Sequence, residues 1–131
     1  MTCRGSATIT RSEDAEIHIT VSPTFLSTKE EVHWFSYHII IANRGKESAR
    51  LLSRYWHITD GNGEVREVQG AGVVGEQPVI DGGQQYQYTS YVDFTTPVGY
   101  MQGMYIMETI NGSRFQAPIN LFSLSLSGTF H

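Results

Sequence analysis

A chain of 131 residues with nine Lys and Arg against 13 Asp and Glu carries a formal charge of −4, so no overall positive field draws it to phosphate backbones and nucleic acid is excluded as a general partner. That length buries roughly two thirds of the unfolded surface without disulfides or metal, and the single cysteine, Cys3, has no mate for an internal disulfide. The longest apolar run, Ile39-Ile40-Ile41-Ala42, falls far short of the roughly 20 residues that span a bilayer, and no apolar leader precedes it. The expectation is a soluble cytoplasmic protein with no membrane contact.

In chain order, residues 1–14 are polar and are expected to form a flexible arm before one domain over 15–131. Glu16 to Val21 alternates apolar with polar, as does Phe35 to Ile39, and both read as strands. Leu51 to Thr59 is apolar on both parities, the pattern of a central strand covered on both sides. Asp60-Gly61-Asn62-Gly63 supplies a tight turn into Glu64 to Val68, giving a hairpin. Gln85 to Tyr91 is rich in aromatic and hydroxyl residues, and Tyr100 to Thr109 runs into the hairpin signal Asn111-Gly112. Phe122 to Ser127 puts its large apolar residues on one face and serines on the other. No window of helical length carries a 3.6-residue period, so seven or eight short strands predict an immunoglobulin-like or fibronectin type III-like β-sandwich, with a small barrel as the alternative.

Gly70-Ala71-Gly72-Val73-Val74-Gly75 has the glycine spacing of a dinucleotide-binding loop. Its flanks do not fit that fold. The preceding Glu64 to Val68 holds three charges, unlike a parallel strand buried on both faces, and Pro78 and Asp81-Gly82-Gly83 leave no room for the helix that must follow. The glycines are better explained by positive φ or close backbone approach in a loop between strands. A concave nest of amides for a phosphate or carboxylate stays open beside that reading.

Ser53 to Val65, then Val68 to Pro78, Tyr86-Gln87-Tyr88-Thr89-Ser90, Thr96 to Gly103 and Ala117 to Leu124 together resemble the ApaG domain family over nearly everything after Ala15. Ser90-Tyr91 departs from the Ser-Gly that the family often carries there, and residues 1–14 match no family pattern. The resemblance implies a fibronectin type III-like sandwich, found as small bacterial proteins and appended to an F-box protein and a polymerase-interacting protein. It further implies a recognition module, with a family link to magnesium and cobalt homeostasis.

The histidines at 18, 33, 38, 57 and 131 are scattered, and His33 and His38 fall on opposite faces of one strand, so no metal ligand is assigned; His18 and His38 alone have the option of meeting across adjacent strands. No nucleophile elbow occurs and Cys3 has no base in register, so no catalytic residue, enzyme activity or cofactor is expected. Five of the nine basic residues fall between Arg44 and Arg66, and Arg50, Arg54 and Trp56 share parity on one strand. That arrangement offers a guanidinium and aromatic surface for a carboxylate, a phosphate or an acidic peptide. Against it stand a core Trp56 and an Arg54 paired with Glu67 or another acid across the hairpin.

The candidate binding residues are therefore Arg54, Trp56, Arg66, Gly70, Gly72, Gly75 and Glu76. Two readings follow. In one, a non-catalytic module captures an unidentified protein segment, adding it at a sheet edge; in the other, a phosphate-containing small molecule such as pyrophosphate or a nucleotide sits on the glycine loop. A monomer or a weak homodimer is expected of a sandwich with exposed edges.

Overall fold

The computed structural model describes residues 3–126, which form nine strands. These are β1 (Ser6–Ser12), β2 (Ala15–Lys29), β3 (Val32–Asn43), β4 (Ala49–Asp60), β5 (Val65–Ala71), β6 (Val79–Ile80), β7 (Gln85–Phe94), β8 (Val98–Thr109) and β9 (Arg114–Ser125). All pairings are antiparallel, in a four-stranded sheet of order β1-β2-β3-β7 and a five-stranded sheet of order β5-β4-β8-β9 with β6 also on β4. The two sheets face each other as an immunoglobulin-like sandwich. The terminal strand expected to reach Ser127 is described only as far as Leu126, and His131 lies outside the described residues.

Alternation along each strand sends one parity inward. Ile17, Ile19 and Val21 of β2 and Phe35, Tyr37, Ile39 and Ile41 of β3 meet Trp56, Met101, Tyr105, Phe122 and Leu124 of the opposite sheet, all buried. Tyr37 sets its ring against Trp56 at 5.4 Å and Trp56 against Phe122 at 5.9 Å, edge to face, so an aromatic stack ties the layers at mid-height. Each such side chain withdrawn from water stabilises the fold by about 1.5–3 kcal/mol.

Two local features depart from the sequence reading. The expected flexible arm contains β1, which pairs with β2 from Ser6 to Ser12, and Cys3 is half-buried with its sulfur 3.4 Å from the Ser125 carbonyl. Its polar sequence hid it, because main-chain pairing rather than a large apolar face holds the strand. In β4, the two-parity apolar pattern arises from a register shift between Leu51 and Ser53, not from cover on both faces. Ala49 and Leu51 point inward before the shift, and Trp56 and Ile58 after it.

Candidate functional site

The sandwich has one sealed flank and one open flank. On the sealed side Arg4 and Ser123 exchange backbone hydrogen bonds of 3.1 and 3.0 Å, Thr8 donates its hydroxyl to the Pro118 carbonyl, and Asn120 donates to Ala7. On the other side β5 and β7 end their sheets facing each other. The links there among the described residues are made by side chains.

The segment that closes this open flank is the glycine-rich loop. Val73 is fully buried and inserts into the core, while Val73 and Glu76 exchange backbone bonds of 2.8 and 2.9 Å around Val74 and Gly75. Both central residues have positive φ, +43° at Val74 and +81° at Gly75, which is the type I′ arrangement. Gly72 has φ +62°, and a Cβ there would lie 2.0 Å from the Glu76 carbonyl oxygen, so no other residue fits. Its amide donates to the Leu52 carbonyl at 2.8 Å. Gly70 belongs to β5 rather than to the loop, and the Arg54 guanidinium lies where its side chain would be.

Arg54 faces inward, because the shift at Leu52 turns residues 54, 56 and 58 toward the core and leaves Arg50 exposed on the outside. The expected shared face of Arg50, Arg54 and Trp56 is thereby broken by one bulge. Arg54 Nη1 donates to the carbonyls of Ala71 at 3.1 Å and Gly72 at 2.9 Å, which pins the loop's base. It does not pair with Glu67, whose carboxylate accepts from the Tyr55 hydroxyl at 2.7 Å. Trp56 is 3 % exposed and is a core residue, not part of a surface.

Behind Arg54 stand the hydroxyls of Tyr37, Tyr88 and Tyr105, the last two hydrogen-bonded to each other. Burial pushes all three above the ordinary 10 of a tyrosine, and the nearby Arg54 charge works in the opposite direction on each. At the far end Arg66 places its guanidinium 5.4 Å from the Phe94 ring centre, contacts Asp93 Oδ1 at 3.6 Å and donates to the Asp93 carbonyl. Glu76 is exposed and accepts from the Tyr86 hydroxyl at 3.3 Å; burial first and that carboxylate second raise the Tyr86 pKa.

The structure thus brings Arg54, Gly70, Gly72, Gly75 and Glu76 together, sets Arg66 at the other end of the same flank and removes Trp56. Sequence reasoning missed Val74, whose positive φ no residue type advertises, and Val73, whose burial a loop does not suggest. His18 and His38 do not meet: His18 lies opposite Ala42 and contacts Glu16, while His38 lies opposite Ser22 and bridges Thr89 and Gln87. Among the described residues no group of three or more His, Cys, Asp or Glu is placed to hold a metal ion.

Fold and flank together define a class: an immunoglobulin-like β-sandwich closed on one side by main chain and on the other by a pinned loop. The ApaG domain profile matches residues 23–109. The chain is 46% identical over 118 residues to Protein ApaG of Bradyrhizobium sp. (strain BTAi1 / ATCC BAA-1182), covering 87% of this chain and 90% of that one. It is 52% identical over 102 residues to Protein ApaG of Shewanella piezotolerans, covering 78% and 81%. The crystal structure of the putative ApaA protein from Bordetella pertussis superimposes with a TM-score of 0.86 at 35% identity, covering 91% of this chain and all 100% of that one. A structural-genomics target, SoR45, gives 0.82 at 44% identity, covering 88% and 90%. This chain belongs to the ApaG domain family.

Proposed function

We propose that the chain is a non-catalytic recognition module whose open flank, headed by the Val73–Glu76 turn, docks a protein partner. The observation that supports it is Val74. A β-branched residue at φ +43° is strained by about 1–2 kcal/mol, and this one keeps 58% of its surface exposed. Asn or Gly would form the same turn without that cost. An apolar side chain held out from a turn that Val73, Arg54 and Gln77 anchor from behind is shaped as a contact.

The small-anion reading has less behind it. The Gly72 amide already donates to Leu52, Gly70 sits in the β4–β5 ladder, and Arg54 Nη1 already donates to two carbonyls. A phosphate would have to displace those bonds before it gained its own. Any connection with divalent-cation homeostasis runs, on this reading, through the partner.

A photo-crosslinking amino acid introduced at position 74, and in a second strain at position 8 on the sealed flank, tests the assignment in the native host. A discrete adduct at 74 and none at 8 is expected. Adducts of equal yield at both positions, or none at 74, would sink it.

A further inference from the structure

We infer that the free edge of β7 pairs antiparallel with β7 of a second copy of this chain. The backbone decides which groups are available. Asn43 donates to the Gln84 carbonyl at 2.9 Å, and bonded pairs alternate along an antiparallel ladder, so Tyr86, Tyr88, Ser90 and Val92 spend their backbone groups on β3. Gln85, Gln87, Thr89, Tyr91 and Asp93 then turn theirs to the free edge, and the Arg66 bond to the Asp93 carbonyl agrees with that alternation.

Exposed edges are ordinarily protected by charge, proline, irregularity or cover. The edge of β5 carries Arg66 and Glu67, and Arg54 reaches the Ala71 carbonyl. β9 carries Pro118 and a register shift, and β1 is held against it through Arg4, Thr8 and Ala7. β7 has none of these from Gln85 to Val92: it bears no charge and no proline, and its register with β3 is unbroken. Tyr91 stands 62% exposed upon it.

A second copy fits this edge better than a foreign strand does. An uncharged edge offers no electrostatic means of choosing another chain, yet self-pairing across it meets no like-charge repulsion in the span from Gln85 to Val92. The free groups lie on odd residues alone, so odd must pair with odd and the two-fold axis must pass through a residue. Centring it on Thr89 uses the strand from Gln87 to Tyr91, sets Thr89 opposite its own copy and Gln87 opposite Tyr91, and leaves the Asp93 carbonyl to Arg66 and the Thr89 hydroxyl to His38. An interface of two edge strands falls at the small end for specific association, below about 1,200 Å², so the dimer is weak.

The test is sedimentation velocity of the full chain from about 10 μM to about 1 mM, with amide hydrogen exchange at both ends of that range. Expected are a reversible dimer and concentration-dependent protection of the Gln87, Thr89 and Tyr91 amides. Thr89→Lys, which sets two ammonium groups at the axis, and Thr89→Pro, which removes a free-edge N–H without touching the β3 ladder, should each weaken dimerisation more than about tenfold. Val74→Asn should leave it unchanged, so a failure here is separable from a failure of the partner reading. A monomer at the highest concentration, a dimer indifferent to both Thr89 variants, or β7 protection that appears only when another protein is added would each overturn the inference.

Discussion

Where β1 meets β9 the sheets are joined by main chain, with Arg4 and Ser123 exchanging two backbone bonds and Cys3 packed beneath. Where β5 faces β7 they are joined by side chains: Arg66 on Asp93 and Phe94, Tyr86 on Glu76, and a loop held by Arg54 and plugged by Val73. Main-chain pairing satisfies donors and acceptors regardless of side-chain identity, so a flank closed that way tolerates a polar sequence such as Ser6–Ser12. Closure by a plug and a pin depends on a few particular residues. It leaves the β7 backbone and the Val74 side chain facing outward, and that is the flank to which we assign recognition.

The contrast can be broken most severely at Gly72. Gly72→Val meets the Glu76 carbonyl and a positive φ together, and should cost about 3 kcal/mol or more in thermal or urea denaturation by pulling the Val73 plug out of register. Alkaline titration comes next. Burial raises the folded pKa of Tyr37, Tyr88 and Tyr105 above the unfolded 10, so their contribution is whole below about pH 10 and is lost as pH climbs toward the folded values. Urea midpoints measured across that range should fall, and fall less in Tyr88→Phe. Flat midpoints would contradict the buried hydroxyl cluster.

Arg54→Met keeps much of the side chain's bulk but frees the Ala71 and Gly72 carbonyls, for a loss of about 1.5 kcal/mol and faster exchange of the Val73 and Glu76 amides. Thr8→Val on the sealed flank removes one exposed bond to Pro118 while the main-chain bridge remains, and should cost about 0.5 kcal/mol. If the Thr8 change proves the larger of the two, the flanks are not built as described.

Much of this architecture was legible in the sequence, because alternation in β2, β3 and β9 and the turns at Asp60-Gly63 and Asn111-Gly112 are local signals. The glycine spacing was also interpretable once its flanks were weighed: Gly72 and Gly75 take positive φ, and Gly70 gives room to Arg54. What escaped depended on long-range pairing. A single extra residue at Leu52 reverses every side chain beyond it, so the direction of Arg54 and Trp56 relative to Arg50 is set by the β8 register and not by their spacing. β1 escaped because its partners, β2 and the distant β9, supply what its own composition lacks.

The most direct test of the open flank as the recognition surface is Val74→Asn, followed by both thermal unfolding and yield of the position-specific partner adduct, with the crosslinker moved to the adjacent Gln77. The account predicts opposite signs: stability rises by about 1 kcal/mol as the turn loses its strain, and the adduct disappears. If stability rises and the adduct is undiminished, Val74 is not the contact; if stability falls, the strain assigned to this turn is wrong.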